Sequence, residues 1–175
     1  DEIEGSAWVY GSNLAYTKET IEYWSSDFYW RTQETALNSL SNFRVEVDDG
    51  MSIHFIHEKG VGPNPMPLII THGWPSSIAE MQKIIPLLTD PGSHGGDPAD
   101  AFDVVVPSMP GYGYSDRPRN PGMNVTDIAM PWHKLMTDGL CYERSAAHRC
   151  DRGAAVKSRL PRSEVSREGQ IYYSR

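Results

Sequence analysis

The sequence predicts an α/β fold in which a helical, aromatic-rich arm and a β-hairpin lead into a mostly parallel sheet. Three observations carry this. Pro67-Leu-Ile-Ile-Thr-His-Gly-Trp-Pro75 and Ala101-Phe-Asp-Val-Val-Val-Pro107 open as short runs of β-favouring apolar residues, the pattern of buried strands. Between them Ile78, Met81, Ile84, Ile85 and Leu88 follow helical spacing, so a helix should cover one face of the sheet. Ahead of them, Phe43-Arg-Val-Glu-Val47 and Met51-Ser-Ile-His-Phe-Ile-His57 alternate about Asp48-Asp-Gly50, which reads as a hairpin.

At 175 residues the chain is sized for one domain, or part of one. The mean hydropathy is −0.50, and no apolar run approaches the roughly 20 residues of a membrane span. A soluble protein is expected. The opening Asp1-Glu-Ile-Glu-Gly5 shows no export signal, and the expected compartment is the cytoplasm. The net charge of −7 is uneven, because residues 141–175 carry eight basic and four acidic side chains. An acidic body repels phosphate and no nucleic-acid motif is present, so the basic tail reads as a solvated helix face. Cys141 and Cys150 bracket one expected strand, which would hold them roughly 30 Å apart and out of disulfide reach.

Taken in order, Thr17 to Leu37 sets Tyr23, Trp24, Phe28 and Trp30 among charged residues, suggesting short helices that lay their rings on a larger body. In the hairpin, His54 and His57 stand at an odd spacing that sends them to opposite faces of a strand, so they cannot share a metal. No metal or cofactor is expected. Ser77-Ile-Ala-Glu80 has the form of a helix capping box, and Thr89 to Asp100 is an exposed excursion. Ser108-Met-Pro-Gly-Tyr-Gly-Tyr-Ser-Asp116 follows the second strand. Its Gly111 and Gly113 lack the third glycine of a dinucleotide loop, where Asp116 stands, so the loop should border the cleft at His72–Pro75 instead. Asn124-Val-Thr126 reads as the cap of a helix over Asp127–Leu140 that turns Ile128, Trp132, Leu135 and Met136 to one side. Tyr142 to His148 is a weak strand, and a helix-like stretch over 154–160 follows Arg149-Cys-Asp-Arg-Gly153. The implied division is 1–60 for arm and hairpin and 61–175 for the core.

The chemistry concentrates at two turns. At the end of the first strand, Gly73 lets the backbone approach a ligand closely, and Pro75 lacks an N–H. The Trp74 amide is left to face a developing negative charge. Strand, small-x-nucleophile-x-small, helix is the pattern of a nucleophile elbow, here with Asp151 as nucleophile. An Asp in that place attacks an alkyl carbon and forms an ester.

The motif order resembles the microsomal-type epoxide hydrolases. The matching motifs are Tyr23-Trp24, Trp30-Arg-Thr-Gln-Glu34, Leu37-Asn38, Ile53-His-Phe-Ile-His57, His72-Gly-Trp-Pro75, Asp103-Val-Val-Val-Pro-Ser-Met-Pro-Gly111 and Trp132-His-Lys-Leu-Met136. The resemblance implies an epoxide-hydrolase N-terminal arm joined to a partial α/β-hydrolase fold. It implies hydrolysis of a small-molecule epoxide to a vicinal diol through an Asp alkyl ester. Carried onto this chain, Asp151 is the nucleophile and the backbone amides of Trp74 and Arg152 are the oxyanion donors, with His72, Gly73 and Pro75 shaping the hole. The family's elbow reads Gly-Gly-Asp-Trp-Gly, where this chain has Arg149-Cys150-Asp151-Arg152-Gly153. A haloalkane-dehalogenase-like enzyme is the rival with the same nucleophile, but Arg152 stands where that chemistry wants an aromatic N–H. A non-catalytic interaction module that uses the aromatic arm is the rival of another class.

In this fold a catalytic His follows the nucleophile, yet the histidines at 54, 57, 72, 94, 133 and 148 all precede Asp151. The expectation is the front half of such an enzyme, unable to complete turnover alone. The strand before Asp151 would then leave an unpaired sheet edge, inviting self-association. A low, broad thermal transition with concentration-dependent light scattering is the expected outcome, and a sharp monomeric melt at high temperature contradicts it.

Overall fold

Asn42–Asp48 and Met51–Glu58 pair antiparallel as strands β1 and β2, with Val45 opposite Ile53. Their alternation directs Ile53 and Phe55 to one face of the sheet and His54 and Ile56 to the other. The computed structural model describes residues 3–48, 50–124, 127–149 and 172–174. In it β3 (Met66–Thr71) lies between β4 (Phe102–Pro107) and β5 (Ser145–Arg149) and runs parallel to both. Leu68 faces Val104 on one side and Ala146 on the other. The hairpin joins through β2 and β4, where Phe55 meets Pro107, and β6 (Tyr172–Ser174) closes the order β1-β2-β4-β3-β5-β6.

Beyond the hairpin, β4, β3 and β5 run parallel, as expected, with antiparallel pairs on both flanks. The chain has two compact units, Asp1–Leu37 and Asn38–Arg175, and ladder bonds between β2 and β4 tie the hairpin to the second. One expectation changes here. The open edge expected beside the elbow strand is taken, over Ser145–Ala147, by the antiparallel β6.

Within the first unit, α1 (Leu14–Ser26) starts at Asn13, whose side chain accepts from the Tyr16 amide at 3.1 Å. Helix α2 covers Trp30–Asn38. The helices are as expected, and within this unit the rings are not enclosed. Tyr23, Trp24 and Trp30 are 55, 67 and 48% exposed and neither helix has a buried residue. So short a unit has too little interior to enclose four large rings.

In the second unit the sheet is covered on both faces. Ile53, Phe55, Ile69 and Val105 pack with Ile128, Trp132, Leu135 and Met136, the side predicted for that helix. The element is shorter than predicted, with α4 over Ala129–Lys134 running into a π-helical turn over Leu135–Gly139. The helix starts later than a cap at Asn124 would place it. Ile128 occupies the cap position, and the Asp127 carboxylate accepts from the Asn124 amide at 2.8 Å. Thr126 lies outside the described residues. On the opposite side, a 3-10 turn (Ile78–Met81) and the short α3 (Ile85–Thr89) pack on β4 and bury Ile78, Met81 and Ile85. The predicted helix is split, and Pro86, which has no N–H, stands in the first turn of its second piece. Burying each such side chain stabilises the fold by roughly 1.5–3 kcal/mol.

A polar cluster at the start of β4 ties this core to the loop before β5. The Tyr142 hydroxyl donates to Asp103 Oδ2 at 2.7 Å, Lys59 Nζ reaches both groups, and the Gly60 amide donates to Asp103 Oδ1. Tyr142 was expected in a strand, but β5 begins only at Ser145, which leaves its ring free to turn toward β4. Burial acts to raise the Asp103 carboxyl. The Gly60 amide, the Tyr142 hydroxyl and the Lys59 charge outweigh it and hold the group below its ordinary value. Tyr142→Phe should therefore lower stability by about 1–2 kcal/mol, measured by urea denaturation at neutral pH. The Asp103 contribution is complete above about pH 4 and lost as pH falls through the lower folded-state value, so Asp103→Asn should flatten the acid limb of the stability profile.

Candidate active site

The strand-to-turn transition after β3 is held from inside. Thr71 and His72 are buried, and the Trp132 indole donates to Thr71 Oγ1 at 3.0 Å, fixing α4 to the last residue of β3. One residue later the fully buried His72 ring spans the gap between two strand ends. Its Nδ1 lies 3.0 Å from the Gly73 carbonyl, and its Nε2 accepts from the Met109 amide at 3.2 Å. The Tyr112 ring meets the imidazole edge-on at 5.5 Å. The loop after β4 therefore borders His72, as the sequence predicts.

Past His72 the chain leaves the interior. Gly73 is buried, Trp74 and Pro75 are exposed, and the peptide between them is cis. The capping box does not close. Ser77 Oγ accepts from Ala79 rather than from Glu80, and the Glu80 carboxylate reaches back to accept from the Gly73 amide at 3.4 Å. A 3-10 turn places Glu80 too tightly for the reciprocal α-helical bond, which releases its side chain toward the turn. Gly73 thus has its N–H engaged by Glu80, and the site's shape at His72, Gly73, Trp74 and Pro75 is set by bonds on either side of His72.

The loop 108–116 is fastened to the hairpin at several points. Ser52 and Asp116 exchange backbone and side-chain bonds of 2.9 Å, and Asp116 Oδ1 lies 2.6 Å from Arg44 Nη2. Gly113 has φ +50°, and a Cβ there would come within 2.8 Å of Ser108 Oγ, so only glycine fits. The glycine pattern thus has a packing cause. His54 is buried against Ser108, Asn42 and the Tyr114 ring, and His57 bonds Tyr142 on the other face, as the odd spacing requires. Among the described residues no group of His, Cys, Asp and Glu is arranged to hold a metal. The sequence reading missed the roles of His54, Ser108, Ser115 and Asp116. The available signal was an ionisable side chain on the inward face of β2, which obliges partners.

Of the predicted site residues, the structure brings together His72, Gly73, Trp74 and Pro75. Asp151 and Arg152 lie outside the described residues, as do Cys150 and the stretch 154–160. The last described residue of β5, Arg149, is in register with Thr71, so the strand that leads to Asp151 in the sequence ends level with the His72 turn.

Residues 1–81 match the family model for the epoxide hydrolase N terminus, and residues 66–140 match that for the alpha/beta hydrolase fold. The chain is 44% identical to epoxide hydrolase 1 of Oryctolagus cuniculus over 138 residues, which is 77% of this chain and 30% of the relative. Over these residues the chain is similar to the N-terminal part of epoxide hydrolases. A juvenile hormone epoxide hydrolase of Ctenocephalides felis is 35% identical over 161 residues, 90% of this chain and 34% of its own length. The crystal structure of juvenile hormone epoxide hydrolase from Bombyx mori superposes with a TM-score of 0.79 at 27% identity, over 91% of this chain and 37% of that one. The chain thus spans about a third of the length of the curated epoxide hydrolases it matches. Among the described residues no helix is long and apolar enough to cross a membrane.

The buried histidines give the chain a pH signature. Burial is the first cause that lowers His54, His57 and His72; Arg44 adds to it at His54 and Lys59 at His57. At His72 the Gly73 carbonyl and Glu80 oppose the shift without reversing it. Below about pH 6.5 the unfolded chain binds protons that the fold refuses. Stability is therefore full above that pH and falls below it. The urea midpoint should decrease between about pH 7.5 and pH 5.5, and His72→Gln or His54→Gln should each make that decrease shallower.

Proposed function

We propose that this chain supplies the nucleophile and oxyanion hole of an epoxide hydrolase acting on a small-molecule epoxide. The observation that carries the reading is the buried His72 lock at the end of β3, level with the end of β5 two residues before Asp151. An Asp151 carboxylate oxygen attacks an epoxide carbon, the ring C–O bond breaks, and the alkoxide takes a proton from solvent water to give a hydroxyalkyl ester. Water then adds to the ester carbonyl, whose oxygen gathers charge facing the amides of Trp74 and Arg152. Cleavage of the acyl C–O bond releases the diol and restores Asp151.

The second step needs a base to activate water. His54 and His72 do not suit it, because both ring nitrogens of each are engaged within the fold. With neither ring able to act, the ester persists until another base reaches the water. No cofactor enters either step. The exposed rings of Tyr23, Trp24 and Trp30 favour a second reading, in which the arm serves chiefly to bind another chain.

Intact mass after incubation with an aryl epoxide distinguishes the two. A stoichiometric adduct of the whole epoxide, absent in Asp151→Ala, is the expected outcome. Folded protein without adduct rejects the catalytic reading.

A further inference from the structure

The polar atoms around Ser108 link the two buried histidines that flank it. Asn42 Nδ2 donates to the Leu40 carbonyl at 2.7 Å, which fixes the amide orientation and turns Oδ1 toward His54 Nε2 at 2.9 Å. An oxygen there requires the proton on Nε2. In a neutral ring Nδ1 is then bare, and it accepts the Ser108 hydroxyl at 3.0 Å. At His72 the assignment is reversed. The Met109 amide donates to Nε2, so the proton sits on Nδ1, facing the Gly73 carbonyl.

One rigid unit joins the two rings. The Ser108 carbonyl and the Met109 N–H belong to a single planar peptide, so fixing its oxygen fixes the direction of its N–H. Ser115 Oγ donates to that oxygen at 2.7 Å and itself accepts from the His54 amide at 2.9 Å. The Ser108 amide donates to the His54 carbonyl at 2.8 Å. The Ser108 hydroxyl is thus bonded to the His54 ring, its amide to the His54 backbone, and its carbonyl to a hydroxyl that the His54 backbone holds. Ser108 is fully buried, so water offers no substitute.

We propose that the His54 ring, through the Ser108 hydroxyl, and Ser115, through the Ser108 carbonyl, are positioning residues for the oxyanion turn. They seat the 108–109 peptide so that the Met109 amide holds His72 in one tautomer and His72 holds Gly73. The inference rests on the reading of that turn as an oxyanion hole. His54 touches no reacting atom, and its role is to set the direction of one N–H.

The test is nitrogen NMR of the imidazoles in the full chain at about pH 7.5, where both rings are neutral. The parent should show a protonated Nε2 and bare Nδ1 at His54, and the opposite at His72. In His54→Leu the two His72 nitrogen resonances should move toward each other as a single tautomer gives way to a mixture. His54→Gln, whose amide can accept from Ser108 and donate to Asn42, should restore their separation. Should His54→Leu not fold, Ser115→Ala carries the same expectation, because it releases the peptide oxygen and leaves His54 in place. Unchanged His72 resonances in folded His54→Leu or Ser115→Ala overturn the proposal. Failure to form an epoxide adduct overturns the catalytic reading without moving these resonances, so the two failures are distinguishable.

Discussion

A neutral imidazole buried between two backbone groups is the constraint on which the rest of the site depends. His72 bonds a carbonyl with one nitrogen and an amide with the other, so it satisfies two strand ends that would otherwise face an apolar interior unpaired. A charged ring could not do this, since both nitrogens would be donors and the Met109 N–H would meet another N–H. A non-polar residue of similar size would leave both partners unpaired, at the cost that buried polar groups carry. A histidine joins a carbonyl to an amide across that gap only while it is neutral, and its burial is what keeps it neutral.

The sheet is fastened by polar clusters at both ends of β4. At its start, Asp103 gathers Gly60, Lys59 and Tyr142, and beyond its end Ser108 gathers His54 and Ser115. Between them Val104, Val105 and Val106 are fully enclosed and contribute no direction of their own. Apolar burial gives the strand its stability, and the polar ends give it register. This division of labour fits a site that needs backbone groups aimed within narrow limits.

Much of this was legible in the sequence where a single physical rule applied. The strands 67–71 and 102–107 and the hairpin followed from apolar runs and alternation, and the inward face of Ile128, Trp132, Leu135 and Met136 from helical spacing. The neighbourhood of His72 and the 108–116 loop followed from both standing at the ends of adjacent parallel strands. What escaped depends on contacts that spacing does not encode. Glu80 bonds Gly73 and not Ser77, because the turn is 3-10. That the hairpin belongs with the core strands rests on β2 pairing with a strand some fifty residues away. Trp24 and Trp30 look like core residues by type, but no pattern of types says whether a small unit has an interior to receive them.

The strand order also dictates the sequence of events on the ribosome. β3 sits at the centre, yet its two neighbours, contributing Val104 and Ala146, are synthesised after it. The hairpin can close by itself as soon as Glu58 emerges, on the timescale of local structure, while β3 has no ladder partner until β4 arrives. Even then its far edge stays open until β5 is made. Among the described residues the most apolar strand is therefore the one that waits longest for a ladder partner, and nascent-chain shielding matters more for residues 66–71 than for the described strands made before them.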